Sequence, residues 1–191
     1  NILNRYLTLY PSSVRVPQVR EYLAAAYYNS RNYDEAYKAL NMVTNPDNNM
    51  RAAIQKITYF RALEYYVEGD YANATALMNQ SLANRYNAKY TALAGYWQGE
   101  MLYKEGKYSE AIDKYETYIK LSPATEPENL MARYNVGYSF FNLRNWDKSR
   151  EWFDDFLLEY ERNDSFRADA YNRRGDVEYY TKSFWQAIEM Y

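Results

Sequence analysis

The sequence has 191 residues, with 23 Lys and Arg against 25 Asp and Glu, a net charge of −2 and 25 tyrosines. That balance argues against a phosphate-tracking surface as the chain's main purpose. Cysteine and histidine are both absent, which removes disulfides, zinc knuckles and thiol nucleophiles together with the commonest general base and metal ligand.

Taken in chain order, Leu3, Tyr6, Leu7 and Tyr10 lie at helical spacing and align with Phe153, Phe156, Leu157 and Tyr160 far downstream. Residues 1–11 therefore read as the second helix of an earlier copy of some repeat. Pro11, Ser12 and Ser13 break it, and Pro17 suits the first turn of the next helix. From there one frame returns five times. An aromatic residue is followed three positions later by a small one, as Tyr33/Ala36, Tyr71/Ala74, Tyr108/Ala111, Trp146/Ser149 and Phe184/Ala187, at intervals of 38, 37, 38 and 38 residues. Twelve residues before each small residue stand Ala24, Ala62, Gly99, Gly137 and Gly175; four after it stand Leu40, Met78, Tyr115, Phe153 and Tyr191. Agreement of three registers over five copies defines an internal repeat, with copies at 12–47, 48–86, 87–124, 125–163 and 164–191.

Each copy predicts two helices. The first ends near Asn29, Glu68, Glu105, Leu143 and Lys182, and the second starts just before the aromatic. Asn32, Asp70, Asn145 and Ser183 are favourable N-caps, and Asn32 with Glu35 and Ser183 with Gln186 have the spacing of capping boxes. Pro46 with Asp47, and Pro123 through Pro127, break the chain between copies. The two small residues of a copy mark where its helices cross, because packing at about 8–10 Å demands short side chains there. A hairpin of this kind must stack on a neighbour to hide its apolar face.

Gly99, Leu102, Tyr108, Ala111 and Tyr115, with Pro123 closing the copy, resemble the signature of the tetratricopeptide repeat family. The resemblance covers essentially the whole chain. It implies an all-α fold, a right-handed α–α superhelix (solenoid) of about five helix–turn–helix repeats, and it implies a scaffold rather than one particular function. The chain departs from the family in its spacing of 37–38 residues against about 34. Arg61, Gln98 and Arg174 replace a usual leucine, and Glu178 stands where a large apolar residue is expected. The extra residues are expected at the end of the second helix and in the loop after it. The stretches YWQGEMLYKEGKYSEA and LNRYLTLYPSS are similar to the longer-repeat bacterial cell-envelope branch, that of the TolA-binding protein and the outer-membrane assembly lipoprotein. That resemblance implies a periplasmic or outer-membrane location, with the cytoplasm as the alternative. No capping helix is evident, so the chain reads as a segment of a longer array whose uncapped ends could self-associate.

No motif supports catalysis. Asp154/Asp155, Glu126/Glu128 and Asp169 with Asp176 read as solvated acids; GKYS at 106–109 lacks the upstream glycine of a phosphate loop; ERNDS at 161–165 is a turn cluster. No cofactor or metal is expected, and no apolar run is long enough to cross a membrane. The candidate surface is the inner face of the first helices. Tyr59, Tyr96 and Tyr134 stand three residues before the small residue, and Tyr66, Tyr103 and Phe141 stand four after it, with Lys56, Glu100, Lys104 and Tyr138 alongside. Both tyrosine rows lie about 40–60° round the helix from the buried small residue, so the rings serve either as groove or as core. The sequence leaves that choice open.

The leading expectation is a non-catalytic scaffold that binds a partner peptide or protein on a tyrosine-lined groove in a cell-envelope assembly. Glycan binding is the alternative, since aromatic faces suit sugar rings. Single-stranded RNA stacking ranks lower because of the balanced charge, and an enzyme ranks last. No nucleic-acid partner is expected.

Overall fold

The computed structural model describes residues 2–191, which carry eleven α-helices and no strands among the described residues. The chain divides into two compact units, Asn1–Ala94 and Gly95–Tyr191. The first holds α1 (Ile2–Leu9), α2 (Val16–Asn29), α3 (Tyr33–Asn41), α4 (Asn48–Glu68), α5 (Tyr71–Ala83) and the start of α6 (Ala88–Lys104). The second holds the rest of α6, α7 (Tyr108–Leu121), α8 (Pro127–Asn142), α9 (Trp146–Glu159), α10 (Ser165–Tyr180) and α11 (Phe184–Met190).

Within each unit the helices form hairpins: α2 with α3 and α4 with α5 in the first, α8 with α9 and α10 with α11 in the second. The turn is built the same way five times. A residue in the left-handed region follows each first helix: Arg31 (φ 58°), Gly69 (82°), Gly106 (76°), Arg144 (57°) and Lys182 (64°). The next N–H then reaches the carbonyl five residues back, as in Asn32 to Tyr27 (2.8 Å), Asp70 to Tyr65 (2.9 Å) and Asn145 to Phe140 (2.9 Å). This closure satisfies a carbonyl that the helix end would leave orphaned. Asn32, Asp70 and Asn145 then cap the second helix, accepting from the N–H three residues on at 3.1–3.3 Å. The expected capping boxes do not close. The N–H groups of Asn32 and Ser183 are already spent on Tyr27 and Glu178, so nothing remains for Glu35 or Gln186 to accept, and Ser183 makes no side-chain cap at all.

The crossing points are where the small residues predict them. Ala24, Ala36, Ala62, Ala74, Ala111, Ser149 and Ala187 are all buried, and Ser149 Oγ donates to the Gly137 carbonyl at 3.0 Å across its hairpin. The core of the first unit gathers Leu23, Ala24, Leu40 and Ile57, with Leu3 and Leu7 of α1 packed against it. Met78 is fully buried. Gln55 is also fully buried and stitches α4 to the α5–α6 connection. Its Nε2 donates to Ser81 O, Asn87 O and Thr91 Oγ1, and its Oε1 accepts from the N–H groups of Tyr86 and Asn87. A buried amide with both ends satisfied fixes that loop instead of destabilising it.

In the second unit the core is aromatic: Tyr115, Tyr118, Phe153 and Phe156 are wholly or almost wholly enclosed. A Cβ added at Gly99 would sit 2.9 Å from the Tyr115 ring, and one at Gly137 would sit 3.1 Å from the Phe153 ring. These glycines let a ring lie flat on the helix backbone. The unexpected polar residues of the last copy are also explained. Arg174 and Glu178 are buried and pair with each other, while Arg174 reaches Asp154 (2.6 Å) and Arg150 reaches Glu178 (2.9 Å). Ionic groups do the packing of α9 on α10 that leucines do elsewhere. The extra length of the second copy lies in its first helix: α4 runs 21 residues and α5 runs 13, contrary to the expectation that second helices would absorb it.

Candidate functional site

The first helices carry every candidate residue, and the two tyrosine rows fare differently. Tyr59 and Tyr96 are 4% and 6% exposed. Tyr59 packs on Phe60 (5.2 Å between centroids) and Tyr90 (5.3 Å). Tyr96 packs on Tyr115 (5.7 Å) and Tyr118 (5.3 Å) of α7. Both are core, and the reading of them as groove anchors is corrected: they sit mid-helix, where Tyr90 of α6 packs over Tyr59, and Tyr115 and Tyr118 of α7 pack over Tyr96. Tyr134 is half-buried among Tyr138, Phe156 and Phe166, and its hydroxyl donates to Asp169 at 2.7 Å.

The other row lies at the hairpin end of each first helix. There each ring meets the aromatic residue that opens the second helix: Tyr28 on Tyr33 (5.5 Å), Tyr66 on Tyr71 (5.5 Å), Tyr103 on Tyr108 (5.3 Å), Phe141 on Trp146 (5.4 Å) and Tyr179 on Phe184 (5.6 Å). Tyr66 and Tyr103 stay half-buried because the hairpin end is open to solvent. The repeat thus produces the same aromatic pair at each hairpin end.

In the first unit Lys56 is half-buried, with its ammonium 4.3 Å above the Tyr28 ring and 6.0 Å from that of Tyr90. A hydrogen bond with Tyr28 raises its pKa against the opposing effect of burial. Near it, Tyr33 and Phe60 stack at 5.2 Å with planes 18° apart. They floor an apolar cleft of about 310 Å³ walled by Leu63 and Val67, with Glu64 and Glu68 on its lining.

In the second unit the lining is polar and tightly held. Glu100 accepts from the hydroxyl of Tyr115 (3.0 Å) and from the amide of Asn135. Burial pushes its carboxyl above the usual range, and the hydroxyls of Tyr115 and Tyr96 and the charge of Lys104 only partly offset this. Tyr138 donates to Asp169, and burial raises its hydroxyl first, the carboxylate adding to the effect. Asn142 donates to the Tyr103 hydroxyl at 3.2 Å, and burial raises that hydroxyl too. Lys104 is exposed in the last turn of α6, where the helix dipole favours a cation. Asp176 takes the Tyr191 hydroxyl (2.8 Å) and Arg173 (2.6 Å). A second cleft, of about 490 Å³, opens between the start of α8 at Pro127, Leu130 and Met131 and the α9–α10 connection.

The structure therefore brings Glu100, Tyr103 and Tyr138 together with Asn135, Asn142 and Asp169 on one face. Asn135 and Arg173 escaped the sequence reading, which on this face followed the tyrosine rows. For the acids another register carries a signal: the residue after the small one is acidic (Glu100, Asp176) where the residue sixteen after the small one is a tyrosine (Tyr115, Tyr191), and is not acidic elsewhere. The carboxylates spend their lone pairs on hydroxyls and amides, so the face is a fixed array of donors and acceptors and not an acid–base pair. Among the described residues no group of three or more metal-ligating acidic side chains is found, and no helix is long and apolar enough to cross a membrane.

Comparison with known proteins accords with this architecture. Residues 59–126 match the model of the tetratricopeptide repeat family. Among solved structures, MamA from Desulfovibrio magneticus RS-1 is similar at a TM-score of 0.65 and 18% identity, over 92% of this chain and 90% of that one. BtubC from P. vanneervenii is similar at 0.69 and 14% identity, over 99% and 82%. None of the curated proteins matches the chain. The fold class is all-α, that of tetratricopeptide-repeat solenoids.

Proposed function

We propose that this chain is a non-catalytic protein–protein interaction scaffold whose inner face, along the hairpin ends of the first helices, holds a segment of a partner protein. The observation that carries the reading is the aromatic pair repeated at all five hairpin ends, of which Tyr66 and Tyr103 remain half-buried. Half-buried tyrosines near a helix end make good anchors: large area, and few torsions to freeze. In the second unit Lys104, Tyr138, Glu100 and Asn142 border Tyr103 with fixed polarity, which supports selection among partners. Tyr59, Tyr96 and most of Tyr134 serve as the wall behind this surface. A cell-envelope assembly is the setting we favour, supported by the phrase formed by Tyr96, Trp97, Gly99, Glu100, Leu102 and Tyr103.

The test is binding of an array of 12-residue peptides, read by fluorescence anisotropy. Tyr103→Ala should weaken the best binder by more than about 1 kcal/mol, the size of an interface hot spot, and Lys104→Glu should change which peptides bind. Binding that survives both substitutions would place the partner on another face.

A further inference from the structure

We infer that the cleft of the first unit is an arginine-side-chain subsite, taking a basic residue of the partner with its stem on the aromatic floor and its head on Glu68. This rests on the interaction reading above.

Three observations point to that occupant. The cleft is about 310 Å³ and almost wholly apolar in its exposed walls: the stacked rings of Tyr33 and Phe60, Leu63, and Val67, which is 84% exposed. Its only charged lining residues are Glu64 and Glu68. These stand four apart in the last turn of α4, a helix with no basic residue at that end.

That placement is unfavourable twice over. Like charges four apart on a helix repel, and a carboxylate at a helix C-terminus opposes the macrodipole. Glu64 is compensated by Arg61, at 3.0 Å. Glu68 has no cationic partner among the described residues. A cation arriving beside Glu68 relieves both penalties at once.

The apolar walls decide which cation. A side chain that must lie along two stacked rings and still reach a carboxylate needs a long hydrocarbon stem and a head that tolerates partial desolvation. Arginine meets this better than lysine, because its planar guanidinium stacks on aromatic faces, is more weakly hydrated and grips a carboxylate through two N–H groups. The chain uses the same chemistry internally a few residues away: the Arg61 guanidinium lies 4.3 Å over the Tyr65 ring and pairs with Glu64.

The experiment resynthesises the best peptide from the array with its arginine replaced by lysine, citrulline or norleucine, and titrates each against the whole chain. Arginine should bind best, lysine several-fold weaker, and the neutral isostere citrulline about tenfold weaker, as a lost charge-assisted hydrogen bond implies. Glu68→Gln should remove the same factor from the arginine peptide and leave the citrulline peptide unchanged. Val67→Ser, an exposed position where folding is not at stake, should weaken the norleucine and arginine peptides alike. Best binders without a basic residue, or arginine binding indifferent to Glu68→Gln yet sensitive to Tyr103→Ala, would overturn the subsite and leave the scaffold reading intact. An array on which no peptide binds would overturn both.

Discussion

The two units solve one packing problem in two ways. In the first, the small residue of each first helix is alanine and its partner sixteen residues on is aliphatic: Ala24 with Leu40, Ala62 with Met78. In the second it is glycine, and the partner is a ring: Gly99 with Tyr115, Gly137 with Phe153, Gly175 with Tyr191. The geometry shows why the choices are linked. A methyl at Gly99 would come within 2.9 Å of a ring that is fully enclosed, closer than real Cβ contacts allow. The ring takes the volume that the methyl gives up, so the crossing stays filled to native density. The difference has a functional side. The Tyr115 ring brings a hydroxyl that aliphatic Leu40 and Met78 lack, and uses it to hold Glu100. The second unit thereby acquires a polar, ordered lining that the aliphatic unit cannot build.

The sharpest way to break this comparison is to place the first unit's residue in the second. Gly99→Ala should destabilise the chain by up to about 2 kcal/mol, an overpacking cost of roughly 1–3 less a helix-propensity gain of about 1. Gly137→Ala should cost less, its contact being 3.1 Å, and adding Phe153→Met should recover most of the loss by recreating the pair seen at Ala62 and Met78. Urea denaturation of the single and double variants reads the coupling directly. Additive losses would mean that the glycine and the ring are independent.

A smaller effect, within the second unit, depends on pH. Burial pushes the Glu178 carboxyl up, but Arg150 and Arg174 together pull it down further, to about 2 from an ordinary 4.5. A carboxylate depressed in the fold contributes stability that is whole above the unfolded value and is lost as pH falls from about 4.5 toward about 2. Glu100, raised by burial, has the opposite sign: its contribution fades as pH rises above its unfolded value. Hydrogen exchange of the α9–α10 amides between pH 5 and pH 3 should therefore show loosening on acidification, and Glu178→Gln should flatten that slope. A slope unchanged by the substitution would remove Glu178 as its source.

Much of this architecture was legible in the sequence, because small side chains at helix crossings repeat with the copies. The hairpin ends Asn29 and Glu68 are where the pattern puts them, and the others lie within a residue or two. The left-handed turns at Arg31, Arg144 and Lys182 were not legible: only Gly69 and Gly106 carry the residue that favours such a conformation. Nor could the sequence divide the tyrosines. The two rows differ by about 20° round the helix, and angle turned out to matter less than height along the axis. Tyr96, mid-helix, is covered by Tyr115 and Tyr118; Tyr103, nearer the open end of the hairpin, meets Tyr108 there and stays half-buried. The glycan alternative draws on the same half-open rings and has no separate support in the geometry.

The account stands on that division between enclosed and half-buried tyrosines, and thermal melting of Tyr96→Ala beside Tyr103→Ala tests it most directly. Tyr96→Ala empties a fully packed site and should cost about 3–5 kcal/mol, the toll of deleting a buried aromatic, whereas Tyr103→Ala should cost no more than about 1–2 and leave a cooperative transition. Equal losses, or a larger loss at Tyr103, would contradict it.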